Sequence, residues 1–296
     1  MYCYCVYGLV IHSNFEIFAL PSVSSSTNPD VTITFDPTPA DFDAYNCPHP
    51  LYIDLKQDKC VMFDRRFALF ILTEGREVFI QPSEAQDMGQ IRLYILGTVL
   101  SVLLYQRGIL SLHGSAMAIG DQVIGVIAPS GSGKSTTAAA LYKKGYRLLS
   151  DDAIPIFYQN DQYVVYPGYP RLKISDEVAT CLDYGETYII EKHPECGEVS
   201  FDARHQFMNK ALPLKQIYVL EVGDSLEIKP CAQIDAVFGM MQNSLPTMWL
   251  QHHSPEQFKQ CTEFAKSLPF YKMVRSQNLE DLPKFADMLE HHFLNS

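Results

Sequence analysis

The chain has 296 residues, enough for one large domain or two smaller ones with their own hydrophobic cores. Hydrophobic residues make up 47% of the sequence and aromatic residues 12%, which excludes an intrinsically disordered chain. The formal net charge is −11, from 23 Lys and Arg residues and 34 Asp and Glu residues. This charge argues against binding to nucleic acids or to anionic membranes, because both need a cationic surface.

The cysteines and the apolar runs favour a cytoplasmic protein. Eight cysteines are scattered without a Cys-x-x-Cys pair, as expected for reduced thiols in a reducing compartment. The first residues lack the basic start and the cleavage site of a signal peptide. The longest apolar run, 93–105, is shorter than a membrane span and is predicted to be part of a core helix.

Residues 1–85 are predicted to form a β-rich N-terminal module. The segment 31–35 (VTITF) alternates strictly between apolar and polar residues, as half-buried strands do, and Pro- and Ser-rich connections separate the strands. No Lys or Arg precedes Lys56, and we favour a solvated acidic face over a docking surface for a basic partner. A structural cap is the favoured role of this module, and substrate binding or assembly is the alternative.

Residues 86–296 are predicted to form a second, α/β domain. Its first element is the core helix 86–106, which we expect to pack against the central sheet. The further predicted elements are a hairpin of 154–158 with 163–166, a strand at 217–222, a helix from Ser254 with the apolar stripe Phe258, Cys261, Phe264 and Leu268, a strand at 270–274 and a closing helix at 282–294.

A strand, a loop of small residues and a helix follow one another from residue 123 to residue 144. The segment 123–127 (VIGVI) is predicted to be a buried strand, and 136–144 a helix. The loop between them, 128–135, reads APSGSGKS, with Ala128 where the usual motif has its first glycine. This order is the phosphate-binding P-loop arrangement and predicts nucleotide binding. The alternative is a Ser/Gly turn that happens to precede a helix.

The residue types in this loop suit the binding of a nucleotide with Mg²⁺. Gly131 and Gly133 allow the backbone to point several N–H groups at an anion. Lys134 supplies a cation for the outer phosphates, and the Ser135 hydroxyl can hold a Mg²⁺ ion. The predicted nucleotide-binding residues are Ser130, Gly131, Ser132, Gly133, Lys134, Ser135 and Thr136.

Two flanking features narrow the reaction. Upstream, His113-Gly114 opens a hairpin that leads into the strand 123–127. Downstream, a short apolar strand at 146–150 ends in Asp151-Asp152. One carboxylate of such a pair can hold Mg²⁺ while the other accepts a proton from an attacking hydroxyl, whereas a plain acidic turn is the alternative.

His113-Gly114, the loop 128–135 and the segment 149–152 (LSDD) together resemble the catalytic domain of the HPr kinase/phosphorylase family. His113 precedes Lys134 by 21 residues and Asp151 follows it by 17, which is similar to the family's spacing. The resemblance implies that Asp151 is the base for a serine hydroxyl, that His113 tunes its protonation, and that Lys134 contacts the phosphates. It further implies Asp152 and Ser135 as metal ligands and a ring-like homo-oligomer.

The segment 167–173 departs from the family's pattern. Lys173 stands where the family's second signature has a metal-associated glutamate, which argues against a reverse, phosphate-removing activity. The segment 167–172 (PGYPRL) looks like that of divergent HPr kinase-like proteins, among them the lasso-peptide precursor kinases. Arg171 and Lys173 either contact the phosphates or the incoming peptide, or are solvated cations on an edge strand.

The first hypothesis is therefore an ATP- and Mg²⁺-dependent serine kinase that acts on a peptide or small protein, most readily a lasso-type precursor. The second is a true HPr kinase/phosphorylase that acts on the sugar-transport carrier protein. The third is a nucleotide-binding switch without transfer, or a kinase of small metabolites. The predicted fold is α/β, with a P-loop kinase domain of the HPr kinase type preceded by the small β-rich N-terminal module.

Overall fold

The computed structural model describes residues 1–24, 28–37, 51–83, 87–185, 189–193, 197–245 and 254–296, with residues 192 and 193 described by their backbone alone. The chain divides into two compact units, Met1–Ser111 and Leu112–Ser296. The first unit is rich in β-strands and the second is mixed α/β, so the predicted fold class is confirmed at this level.

The first unit contains a seven-stranded sheet in the order β1-β2-β3-β7-β6-β5-β4. Alternating apolar residues bury one face of each strand, as at β3, where Val31 and Ile33 are almost fully buried. The strands are β1 (Tyr2–Val6), β2 (Leu9–Ser13), β3 (Val31–Phe35), β4 (Leu51–Leu55), β5 (Lys59–Asp64), β6 (Ala68–Thr73) and β7 (Glu77–Pro82).

The long apolar helix α1 (Met88–Gln106) belongs to the first unit. The Tyr94 ring stacks on Phe70 with 5.5 Å between centroids, and the Gln106 side chain accepts a hydrogen bond of 2.9 Å from the Gly75 amide. We predicted that this helix would open the second domain and pack on its sheet. The structure instead places the division at residues 111 and 112, because α1 makes these contacts with the strands that precede it.

Helix α1 also has the length and the composition of a candidate membrane span. Its 19 residues extend beyond the apolar run identified in the sequence, and half of its most apolar window is buried inside the structure. Core helices of proteins without membrane segments pass the same test. Its middle turn, Ile95–Val99, is a π-helical segment with i to i+5 bonding.

The second unit is built on a nine-stranded sheet. Strand β9 (Gln122–Ile127) pairs antiparallel with β8 (Leu110–Ile119) and parallel with β16 (Leu212–Val222). Strand β16 in turn pairs parallel with β19 (Phe270–Arg275). The carboxyl ends of β9, β16 and β19 therefore share one edge of the sheet, where α/β proteins bind ligands.

The remaining strands complete this sheet and a smaller one. The predicted hairpin is present as β11 (Ala153–Gln159) and β12 (Gln162–Val165). The predicted strand at 217–222 lies inside β16 at the centre of the sheet. The other strands of the large sheet are β10 (Arg147–Ser150), β11 (Ala153–Gln159), β12 (Gln162–Val165), β17 (Glu227–Pro230) and β18 (Ser244–Leu245), while β13 (Arg171–Ser175), β14 (Ile189–His193) and β15 (Glu198–Asp202) form a three-stranded sheet.

Five helices of the described chain accompany these sheets, and two of them cover the core beside β9. Helix α2 (Lys134–Lys143) packs against β9, β10 and the last helix, α6 (Leu282–Asn295), through apolar residues such as Ala138, Leu141 and Phe285. The helices are α2 (Lys134–Lys143), α3 (Asp176–Cys181), α4 (Gln233–Gln242), α5 (Pro255–Ser267) and α6 (Leu282–Asn295).

Two local expectations are corrected. Cys261 and Phe264 of α5 are buried, but Phe258 is 50% exposed, so the apolar stripe does not extend to the first turn. The polar composition of 187–204 in the sequence predicts a mobile flap that meets substrate or a surface excursion. Its described residues instead include β14 and β15, where β15 pairs with both β13 and β14. Val199 and Phe201 of β15 supply the buried apolar positions among the charges.

Candidate active site

The glycine-rich loop, residues 128–135, connects β9 to α2 at the carboxyl edge of the parallel strands. Gly131 and Gly133 have φ angles of 80° and 97°, which residues with a side chain rarely adopt. Gly133 is the N-cap of α2 and supplies no side-chain cap, so the N–H groups of the first helical turn stay available to a ligand. The loop therefore has the backbone geometry of an anion-binding cradle.

Lys134 is buried at the start of α2. Its Nζ donates a hydrogen bond of 3.1 Å to the carbonyl oxygen of Pro129, which folds the side chain back over the loop. Burial lowers the pKa of the Lys134 ammonium, and the charges of Asp151 and Asp152 oppose that shift. The ammonium is thus held where an anion above the loop would offset its cost of burial.

Asp151 is the most enclosed titratable group of the site, with 3% of its surface exposed. One carboxylate oxygen accepts hydrogen bonds from the hydroxyls of Ser115, at 2.5 Å, and Ser135, at 3.1 Å. The other accepts a bond of 3.3 Å from the Lys173 amide. Burial, followed by the charge of Asp152, raises the pKa of Asp151 to about 7, and these hydrogen bonds limit the rise.

Asp152 is half-buried and has a strained backbone, with φ at 74°. Its carbonyl oxygen accepts from His113 Nδ1 at 3.1 Å and from the Gly114 amide at 3.3 Å. Its carboxylate accepts a long hydrogen bond of 3.4 Å from the Tyr169 hydroxyl. The His-Gly pair therefore pins the backbone of Asp152, while the carboxylate remains on the more open side of the site.

His113 is held in one tautomer by this contact. A carbonyl oxygen can only accept, so Nδ1 carries the ring proton and Nε2 is left as an acceptor. Burial and the nearby charge of Lys134 lower the pKa of His113 despite the opposing charge of Asp152. The imidazole is consequently neutral at pH 7.

Gly114 is required by close packing. A Cβ atom at this position would lie 2.6 Å from the carbonyl oxygen of Val126 and 2.8 Å from Ile154 Cδ1. No side chain fits at this position of the antiparallel pair of β8 and β9. This contact gives a physical reason for glycine after His113.

The structure places the two predicted aspartates in different surroundings. Asp151, the predicted base, is buried and bonded to Ser135, so an incoming hydroxyl would not reach it without rearrangement. Asp152, the predicted metal ligand, has no hydrogen bond to Ser135 among the described contacts and is the more accessible carboxylate. Ser115, which donates to Asp151, was not predicted as a site residue. The available signal was its position directly after His113-Gly114 in the same strand.

Arg171 and Lys173 lie on β13, and their side chains pair with acids of neighbouring strands. Arg171 Nη2 donates to Glu191 at 3.0 Å and to the Ser200 hydroxyl at 2.6 Å. Lys173 forms an ion pair with Glu198. The backbone N–H of Lys173 donates to Asp151. The pairing of both side chains with acids favours the edge-strand interpretation over direct phosphate contact.

The oxygen donors at the end of the loop fit a Mg²⁺ ion. Ser135 and Asp151 place a hydroxyl and a carboxylate 3.1 Å apart, and Mg²⁺ commonly takes one or two protein oxygens and fills its other positions with phosphates and water. In the described part of the chain no group of three or more His, Cys, Asp or Glu side chains forms a metal cage. A metal held jointly by the protein and a nucleotide needs no such cage.

Comparison with known proteins adds a partial match. No family model matches the chain. A 55-residue segment is 40% identical to the HPr kinase/phosphorylase of Lactobacillus johnsonii and covers 19% of this chain and 17% of that protein. A 119-residue segment is 29% identical to the HPr kinase/phosphorylase of Lactobacillus delbrueckii subsp. bulgaricus and covers 40% of this chain and 37% of that protein.

These matches point to the HPr kinase/phosphorylase-like family, from which the chain diverges. The chain spans between 17% and 37% of the length of these two relatives. The Hpr(Ser) kinase/phosphatase structure from Coxiella burnetii aligns with 62% of this chain and 97% of that chain, at 12% identity and a TM-score of 0.35.

Proposed function

We propose that this protein is an ATP- and Mg²⁺-dependent serine kinase that phosphorylates a peptide or a small protein, through a P-loop domain of the HPr kinase type. The observation that carries the proposal is the convergence of a glycine-rich loop, a buried lysine and two carboxylates at one sheet edge. The sequence matches to HPr kinase/phosphorylases support phosphoryl transfer as the class of reaction.

In the proposed reaction, Lys134 and the N–H groups of the loop hold the β- and γ-phosphate oxygens of ATP. The oxygen of the acceptor serine forms a bond to the γ-phosphorus, the bond from that phosphorus to ADP breaks, and Asp152 takes the hydroxyl proton. His113 keeps Asp152 in place through its backbone carbonyl. Ser135 and Asp151 would hold Mg²⁺, which when bound neutralises phosphate charge.

The exchanged roles of the aspartates are tested by comparing Asp151→Asn with Asp152→Asn. We expect Asp152→Asn to bind Mg·ATP with unchanged affinity and to lose transfer by roughly 100-fold or more, because only the proton acceptor is removed. Asp151→Asn should instead lose the Mg²⁺-dependent part of ATP affinity. Fluorescent-nucleotide titrations with and without Mg²⁺ and single-turnover mass analysis measure both effects.

The exposed turn residue Asp121 offers a matched control, since Asp121→Asn changes the same charge away from the site. If Asp151→Asn binds Mg·ATP normally but transfers nothing, while Asp152→Asn transfers normally, Asp151 is the base as the sequence predicted. If neither variant changes transfer, the proposed site is wrong.

The proposed acceptor is a lasso-type precursor, and the carrier protein HPr is the alternative. A lasso-type precursor is supported by the resemblance of residues 167–172 alone, whereas the names of the matched relatives are compatible with the carrier protein HPr. Intact-mass analysis after incubation with Mg·ATP distinguishes the two, with serine-containing peptides and HPr offered in parallel. Tight ATP binding without transfer to either acceptor would favour the switch or small-metabolite hypothesis.

The remaining parts of the proposal concern location and assembly. All cysteines in the described residues are free thiols, which fits a reducing, cytoplasmic location. The net charge of −11 supports partners other than nucleic acids or membranes. The homo-oligomer implied by the family resemblance stays a prediction.

A further inference from the structure

A buried arginine lies against the glycine-rich loop and has no part in the reaction described above. Arg275 ends β19, and 7% of its surface is exposed. A Cβ atom placed on Gly133 would lie 2.6 Å from Arg275 Nε and 2.7 Å from its Cζ. The guanidinium therefore packs directly on the Cα of Gly133, in space that any larger residue would take.

The hydrogen bonding of this guanidinium is incomplete. Nη1 donates to the Ser276 carbonyl oxygen at 2.9 Å, but the buried Nε has no hydrogen-bond partner. Within the described residues no carboxylate pairs with Arg275, and burial lowers the pKa of its guanidinium. A buried cation with an unmet donor is costly unless something supplies an acceptor and a negative charge.

The position of Arg275 shows where that acceptor would come from. Strand β19 runs parallel to β16, and β16 runs parallel to β9, so Arg275 and the loop lie at the same sheet edge. Lys134 Nζ bonds to Pro129 at the first end of the loop, and Arg275 contacts Gly133 at the other end. An anion seated over the loop N–H groups would lie between two cations.

We propose that Arg275 is a second phosphate-binding cation of this site, whose guanidinium donates to a phosphate oxygen of the nucleotide held by the glycine-rich loop. The inference deepens the proposed kinase function and rests on it. An arginine suits this place because its planar guanidinium offers several donors in fixed directions to phosphate oxygens. The same group touches the loop before any ligand arrives, so the contact is pre-organised.

The test compares binding of pyrophosphate, ATP and adenosine by isothermal titration in five proteins. These are the wild type and the variants Arg275→Met, Arg275→Lys, Lys134→Met and Arg147→Met. Arg275→Met keeps the length of the side chain without its charge, and Arg275→Lys keeps a cation. Lys134→Met is the reference for loss of a phosphate contact, and Arg147→Met is the control at an exposed arginine. We expect Arg275→Met to weaken pyrophosphate and ATP by roughly 10- to 100-fold, the range for a charge-assisted hydrogen bond. Arg275→Lys should lose less, and any affinity for adenosine should not change.

Each outcome separates this inference from the proposed function. If Lys134→Met weakens phosphate binding but both Arg275 variants bind like Arg147→Met, Arg275 is not a phosphate ligand while the nucleotide site stands. Equal loss of ATP and adenosine would make Arg275 a structural support of the loop and would overturn the inference. Absence of any pyrophosphate or ATP binding by the wild type would overturn both proposals. If Arg275→Met does not fold, the neutral variant Arg275→Gln replaces it, and an unchanged pyrophosphate affinity of Arg275→Gln decides against the inference.

Discussion

The buried carboxylate of Asp151 predicts an unusual pH dependence of stability. In the folded, ligand-free protein the pKa of Asp151 is raised to about 7, whereas an unfolded chain restores it to the ordinary value near 3.8. Between these values the folded state holds a proton that the unfolded state has released. The free energy of unfolding must therefore fall as the pH rises through this window.

The size of the effect follows from the shift. Each pH unit between the two pKa values changes the stability by about 1.4 kcal/mol, so the span from pH 5 to pH 7 corresponds to roughly 3 kcal/mol from this residue. The contribution levels off above pH 7, where both states are ionised. Other groups titrate in the same range, so the difference between wild type and a variant is the quantity to measure.

Urea unfolding of wild type and Asp151→Asn at intervals from pH 5 to pH 8, without nucleotide or metal, provides this difference. Asparagine cannot titrate, so the stability of the variant should fall less steeply with pH than that of the wild type. Its amide also loses the bond from the Lys173 N–H, but that loss is independent of pH and shifts the whole curve. Asp121→Asn, in an exposed turn, should follow the wild-type slope. Parallel curves for Asp151→Asn and wild type would show that Asp151 is ionised normally and would refute the argument.

Two further predictions concern the packing at Gly114 and the three-stranded sheet of β13, β14 and β15. Gly114→Ala should destabilise the second unit by about 1–3 kcal/mol in thermal unfolding, because its Cβ would lie 2.6 Å from the Val126 carbonyl oxygen. Gly97→Ala is the control and should be neutral or stabilising, because no atom lies within 4 Å of its Cβ position. Arg171→Ala should cost about 1–3 kcal/mol of stability and leave ATP affinity unchanged, because Arg171 bonds to Glu191 and Ser200. Loss of phosphoryl transfer at full stability would instead support the interpretation that Arg171 contacts the phosphates or the peptide.

The parts of the site that are contiguous in sequence could be predicted, because local chemistry determines them. The strand, glycine-rich loop and helix were placed correctly, since apolar runs, glycines and the Lys-Ser pair specify them within a few residues. The strand that ends at Asp151-Asp152 was also found from its own pattern. The start of the second unit was misplaced, since the apolar face of α1 does not reveal which sheet it covers.

The different surroundings of the two aspartates could not be predicted from their order in the chain. They are neighbours in sequence, yet Asp152 has a positive φ, which turns its carboxylate away from the enclosed position that Asp151 occupies. The burial of Asp151 depends on Ser115, Ser135 and the backbone of Lys173, which come from three separate elements. Only the folded arrangement brings these groups together.

Arg275 extends the same argument to the far end of the chain. The pattern of the last strand predicted its apolar residues through Val274 and stopped one residue short of the arginine. Parallel pairing of β19 with β16 and of β16 with β9 carries that next residue to the loop, 142 positions after Gly133. In a parallel sheet the residue just after a strand's last apolar position lies at the ligand-binding edge. A charged residue there, such as Asp151 after β10 or Arg275 at the end of β19, is therefore better read as a candidate site residue than as the polar end of a strand.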